Sequence, residues 1–265
     1  MTPNELLDGI RAADQHEGGL RCLRLHSIAS AAFAELRSEV SRLVRDGRPS
    51  DVQQPRHVTN WVLPFGTVQQ FSLLNTTGRF DDFSTDHDLA RRDKRFFAGS
   101  RYPALARLLA IFPEAVNFRI NVLGRRSGLS PHEEHAVVRS PAGAVVARVR
   151  FHLPVVTNSR ALLVLDGDVH HLEPGVIHYI NHGCVHAASN HGEQSRVHLV
   201  WDMLLTPTTF EVLFGGSTAP PPLERITGVD RELAPLRIER VGAYRRLPPV
   251  VSRGDAAQLR LAEPP

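Results

Sequence analysis

Arg196-Val197-His198-Leu199-Val200-Trp201-Asp202 alternates strictly: on an extended strand Arg196, His198, Val200 and Asp202 share one face and Val197, Leu199 and Trp201 share the other. The apolar set faces a core. The polar set turns an arginine inward, and an unpaired buried charge is strongly unfavourable, so Arg196 needs an anion. A protein carboxylate such as Asp202 or Asp166 would serve, and so would the carboxylate of a bound small molecule held bidentately. Ala147-Arg148-Val149-Arg150-Phe151-His152 repeats the pattern, with Arg148, Arg150 and His152 on one face. Such a strand reads as the wall of a pocket for an anionic ligand.

Working outward, short β-type runs cover Val145–Leu153, Ala161–Leu165, Val176–Ile180, Val185–Ala188 and Val197–Leu204. Turn signals separate them at Gly143, Asp166-Gly167, Pro174-Gly175, His182-Gly183 and His191-Gly192. The fold class is therefore mainly β with flanking helices, around a double-stranded β-helix (jelly roll, cupin-like) core. Apolar residues at helical spacing predict an amphipathic helix over Ile28 to Val44, ended by Asp46-Gly47-Arg48-Pro49, and a second from Pro103 to Ile111. Three regions follow: an N-terminal helical segment packing on the core (1–55), a jelly-roll domain (56–216) and a Pro-rich C-terminal extension (217–265) holding eight of the nineteen prolines. The extension either covers the barrel or contacts another copy of the chain in a homo-oligomer.

Composition narrows the function classes. The chain has 265 residues, 42% hydrophobic and 22% charged, and its Lys+Arg and Asp+Glu totals of 31 and 28 leave a formal charge of +3. No nucleic-acid partner follows from so small an excess, and the basic run Arg91-Arg92-Asp93-Lys94-Arg95 reads as a solvated turn. Cys22 and Cys184 are too few and too far apart for a disulfide framework or a thiolate zinc site, which suits a reducing cytoplasm. No secretory leader or membrane-spanning run is visible, so no membrane partner is expected.

In Ser130-Pro131-His132-Glu133-Glu134-His135, His132 and Glu134 are two residues apart, so an extended strand would turn both to one face. A second imidazole must come from a distant strand, and His186 offers it, with Arg196 ten residues beyond. Two histidines and one carboxylate make a facial triad that leaves three adjacent positions open on ferrous iron. His170, His171, His178, His182 and His191 sit in or beside the expected turns and read as surface or hydrogen-bonding groups, and Cys184 as a small core residue.

These stretches resemble the aspartyl/asparaginyl β-hydroxylase family of Fe(II)/2-oxoglutarate-dependent oxygenases, which includes bacterial proline hydroxylases. The matching pieces run in order: Phe118-Arg119-Ile120-Asn121-Val122-Leu123 leading to Leu129-Ser130-Pro131-His132-Glu133-Glu134; Arg150-Phe151-His152-Leu153-Pro154; His186 with Asn190; and Arg196 to Asp202. The resemblance implies that His132, Glu134 and His186 bind Fe(II), that Arg196 grips the far carboxylate of 2-oxoglutarate, and that Arg150 and His152 line the cosubstrate pocket. It implies hydroxylation of a C–H bond of a free amino acid or amino-acid-derived small molecule with O2, releasing succinate and CO2. Glu134 stands where the family more often has Asp; a Gly or Ala there would have left room for a halide. Asn60, Trp61, Arg119 and Arg126 are the expected substrate contacts. Two other classes compete: a metal-dependent cupin enzyme that uses no 2-oxoglutarate, and a non-catalytic ligand-binding jelly-roll module. Arg196 separates the first, because such cupins need no carboxylate clamp there, and metal content separates the second.

Overall fold

The computed structural model describes residues 1–47, 67–86, 88–91, 93–215 and 246–263, with the backbone of two short strands at 50–51 and 60–62. The elements run α1 (Pro3–Asp14), β1 (Cys22–Ser27), α2 (Ser30–Asp46), β2 (Ser50–Asp51), β3 (Asn60–Val62), β4 (Val68–Ser72), α3 (Pro103–Ile111), β5 (Ala115–Leu123), β6 (Ser127–His132), β7 (Val137–Arg139), β8 (Val145–Val156), β9 (Ala161–Leu165), β10 (Asp168–His170), β11 (Val176–Ile180), β12 (His186–Asn190), β13 (Arg196–Leu204), α4 (Pro207–Phe214) and α5 (Arg253–Ala256).

The strands pair into two antiparallel sheets. One contains β11-β8-β13-β5, widened by β1 beyond β11 and by β4 and β2 beyond β5; the other is β10-β9-β12-β6 with β3 at its edge. Apart from the β9–β10 hairpin, each core strand from β5 onward is followed by one in the opposite sheet, β7 being a side hairpin on β8. That is the double-stranded β-helix expected. Leu123 meets Ala188, and Ile180 meets Leu163 and Leu165, so the two sheets pack face to face.

Register decides which face is which. Val197, Leu199, Trp201 and Met203 of β13 and Ala147, Val149, Phe151 and Leu153 of β8 join one apolar cluster with Leu36, Val40 and Leu43 of α2, Leu105 and Leu108 of α3, and Phe210 and Phe214 of α4. Trp201 stacks on Phe118 with ring centroids 4.9 Å apart. Each large side chain so buried contributes about 1.5–3 kcal/mol, so the helices fix the outer face. The opposite face carries Arg196, His198 and Asp202 beside Arg150 and His152, directed between the sheets. A one-residue slip would exchange the two sets.

The β9–β10 connection is Asp166-Gly167, with φ of 48° and 91°, the two left-handed positions that a two-residue type I′ hairpin requires. Three features depart from the sequence expectation. β1, within a stretch read as helical, pairs with β11 (Cys22↔Ile180); only its first two residues are buried, so its period is too short to read. β6 stops at His132, and Glu134 lies in the loop beyond it rather than on the strand. Of the Pro-rich extension, residues 216–245 lie outside the described residues, while 246–263 return to the barrel: Val251 and Ala256 join the main core, and Ala262 N–H donates to Leu205 O at 2.8 Å. Among the described residues no helix is long and apolar enough to cross a membrane.

Candidate active site

His186 and His132 are register partners on β12 and β6, and their rings lie 4.1 Å apart. Each Nδ1 is hydrogen-bonded to the backbone carbonyl two residues earlier, His132 to Ser130 O at 2.7 Å and His186 to Cys184 O at 2.9 Å. A carbonyl only accepts, so both Nδ1 atoms donate and both Nε2 atoms keep their lone pairs. Burial pulls both imidazoles down, His186 to about 3, so the neutral ligand form prevails at physiological pH. One donor atom each from His132, Glu134 and His186 lie within 4.8 Å of one another, close enough to share one ion. Glu134 reaches this place through a loop whose N–H donates to His182 O at 2.8 Å, not through the strand pleat.

Two arginines hold the Glu134 carboxylate. Arg150 Nη1 donates to Oε1 at 2.5 Å, and Arg148 Nη2 and Arg150 Nη2 donate to Oε2 at 2.6 and 3.0 Å. Arg150 also donates to both oxygens of Asp202, at 2.7 and 2.9 Å, and Asn117 adds a bond at 2.9 Å. Burial pushes both carboxyls up, but Arg150 and Arg148 prevail and hold Glu134 and Asp202 well below the usual carboxylate range. A carboxylate offers about four lone-pair sites, so Glu134 retains acceptor capacity toward a cation.

At the other end of the same wall, Arg196 is 3% exposed, and among the described residues its guanidinium makes no hydrogen bond or ion pair. Burial alone pulls it down to about 9, still cationic at neutral pH. Nearby, His152 Nδ1, both ring nitrogens of His198, and Asn121 Oδ1 lack hydrogen-bond partners. Burial first, then the Arg196 charge, holds His152 and His198 well below the usual imidazole range. Orphaned buried polar groups of this kind call for a ligand or water.

The remaining expected residues divide. Arg150 points into the site but is already committed to Glu134 and Asp202. Arg119 pairs with Asp86 and covers the Phe83 ring at 5.5 Å. Arg126 is not brought to the site: it precedes β6, about 20 Å along the strand from His132, and is exposed near Glu193 at 3.6 Å. The side chains of Asn60 and Trp61 lie outside the described residues. His178 and His182 are fully buried rather than at the surface, because β11 is sandwiched between β1 and β8 and His182 sits under Arg148. Glu133, between the two candidate ligands, went unread, and its partners come from the far end of the chain.

The sequence profile of the family described as aspartyl/asparaginyl beta-hydroxylase matches residues 32–205, well over half of the chain. The chain belongs to that family. The hydroxylase is accordingly an iron(II)/2-oxoglutarate-dependent oxygenase. Among curated proteins no sequence matches it. Solved structures similar to the hydroxylase include the non-heme α-ketoglutarate-dependent epimerase SnoN from nogalamycin biosynthesis (16% identity, TM-score 0.43, 86% of this chain and 95% of that one). A prolyl-4-hydroxylase from Pseudomonas putida shares 13% identity at a TM-score of 0.39, over 75% of this chain and 98% of that one. HygX from Streptomyces hygroscopicus, solved with nickel and 2-oxoglutarate bound, shares 10% identity at 0.41, over 74% and 85%. The family assignment rests on the sequence profile.

Proposed function

We propose that His132, Glu134 and His186 hold the hydroxylase's iron(II) and that Arg196, with His152 beside it, takes the far carboxylate of 2-oxoglutarate. One observation carries the reading: a buried guanidinium that meets no anion among the described residues is directed between the sheets from β13, and a His–Glu–His donor set stands on β6, β12 and the loop after β6 of the facing sheet. The donors suit the ion, two neutral imidazoles with free Nε2 lone pairs and one ionised carboxylate. A cupin that uses no 2-oxoglutarate would leave Arg196 unexplained.

When bound, iron and 2-oxoglutarate supply the oxygen chemistry that hydroxylates a C–H bond and releases succinate and CO2. The protein's share is positioning. Arg150, anchored on Asp202, orients Glu134; Arg196 sets the depth of the cosubstrate; and the neutral His152 and His198 add no second positive charge. Glu134 occupies the place a halide would need, which favours hydroxylation. The substrate in this reading is a free amino acid or amino-acid-derived small molecule, and Arg148, which donates to Glu134 Oε2 at 2.6 Å, is a cation beside the donor set that would suit its carboxylate. A content of two cysteines, both buried, suits a cytoplasmic setting.

Anaerobic titration with iron(II) and 2-oxoglutarate tests the assignment. The visible charge-transfer band of chelated oxoglutarate should appear, and oxygen with the right amino acid should yield succinate. His186→Ala should bind no iron. Absence of both band and succinate in the unaltered protein overturns the reading.

A further inference from the structure

Glu133 lies between His132 and Glu134, yet its side chain turns away from them and is 2% exposed. A carboxylate that deep needs partners. They come from the returning C-terminal segment: Leu247 N–H donates to Oε1, and the Arg246 guanidinium faces Oε2 at 3.4 Å. The same guanidinium pairs with Asp166 in the tight β9–β10 turn. Asp166 is in turn hooked to the residue before His186, accepting from Val185 N–H at 3.1 Å and donating its own N–H to Val185 O at 2.8 Å. Arg246 thus links Glu133, between His132 and Glu134, to Asp166, and through Asp166 to the residue before His186.

The segment that carries it is anchored. Val251 and Ala256 are in the main core, Gln15 Nε2 donates to Val251 O at 3.3 Å, and Arg260 N–H donates to Val145 O at 3.2 Å. From the opposite side, Asp14 accepts the N–H groups of Ala136 and Val137 at 2.7 and 3.2 Å, closing the ligand loop at its far end.

We infer that Arg246 and Leu247 form a clasp that sets the spacing of the metal ligands, with Arg246 a positioning residue for the metal centre. The inference rests on the ligand assignment above. Groups that orient ligands from behind typically change metal affinity 10–100-fold when removed.

Cobalt(II), binding without oxygen chemistry and reporting geometry through its visible ligand-field spectrum, is the probe. Arg246→Ala and Glu133→Gln should each raise the cobalt dissociation constant about tenfold or more and alter the spectrum. Arg246→Lys, which keeps the charge, should recover part of the loss. Arg253→Ala, which releases the exposed Arg253–Glu17 pair at 2.8 Å elsewhere on the tail, should leave both unchanged. Melting of the metal-free variants is recorded alongside, and Glu133→Gln, nearly isosteric, stands in should Arg246→Ala fail to fold. Wild-type affinity and spectrum in Glu133→Gln and the folded Arg246 variants, or an equal loss in Arg253→Ala, overturn the clasp. A wild-type protein that binds no cobalt refutes the ligand assignment instead.

Discussion

The inner face of β13 ends in two opposite electrostatic states. At one end Asp202 accepts from Arg150 and Asn117, and Arg150 continues to Glu134, so every charge meets an opposite charge from the protein itself. At the other end, Arg196 is equally buried and, among the described residues, has no anion, with imidazoles beside it that lack hydrogen-bond partners there. A closed network of buried ions gives little net stability but fixes geometry, and breaking it by removing one partner is costly. An open site works the other way. It holds the desolvation cost of a lone cation in the empty protein and recovers it when a carboxylate arrives. In the proposed assignment the first end is a scaffold for Glu134, and the second a receptor.

The comparison is most exposed at Asp202. Asp202→Ala leaves Arg150 short of an anion in a fully buried place, and the expected loss is about 3–5 kcal/mol of folding stability, read as a lowered urea midpoint. An unchanged midpoint would mean that the network is not closed in the way the contacts imply.

Arg196→Met should act in the opposite sense. Removing an unpaired buried cation should leave the metal-free protein as stable or more stable in the same urea experiment. Loss of the charged, bidentate contact should weaken 2-oxoglutarate by about 100-fold, or about 2.7 kcal/mol, measured by calorimetry on the iron-loaded protein or as a raised KM, while iron still binds. Destabilisation comparable to that of Asp202→Ala would erase the distinction between the two ends.

How much of this was readable in the chain follows from the range of each interaction. Period-two alternation is local, so residues 145–153 and 196–204 announced their strands and faces, and Asp166-Gly167 announced its turn. Pro103–Ile111 emerges with the bounds that its apolar stripe predicts. The capping box of α1, with Thr2 and Glu5 bonded reciprocally, has a local signature in Thr2-Pro3-Asn4-Glu5. Which arginine would be paired was not readable, because it depends on β8 and β13 meeting with Arg150 opposite Asp202. The Glu133–Arg246 contact, 113 residues apart, joins two ordinary charged residues that have no local signature.

Acid should separate the two ends once more, with the smallest of the three effects. His178, in register with His152 on the neighbouring strand, is fully buried, and burial holds it to about 4 against an ordinary 6.5. Above pH 6.5 it is neutral in both the folded and the unfolded chain. Between 6.5 and 4 the unfolded chain takes up a proton that the folded one refuses, so stability falls as pH falls through that window. At no more than about 1.36 kcal/mol per unit, lowering the pH from 6.5 to 5 should remove about 1.6 kcal/mol through this residue. His178→Phe should abolish that part of the loss, seen as a shallower dependence of the urea midpoint on pH. The carboxylates around Arg150 are ionised in both the folded and the unfolded chain from pH 6.5 down to about 5, so they contribute little there; their share of the loss comes at lower pH, where the unfolded carboxylates take up protons that the folded ones refuse. A His178→Phe protein with the wild-type pH dependence would place the acid sensitivity elsewhere and remove this contrast between the neutral-histidine end and the ionic one.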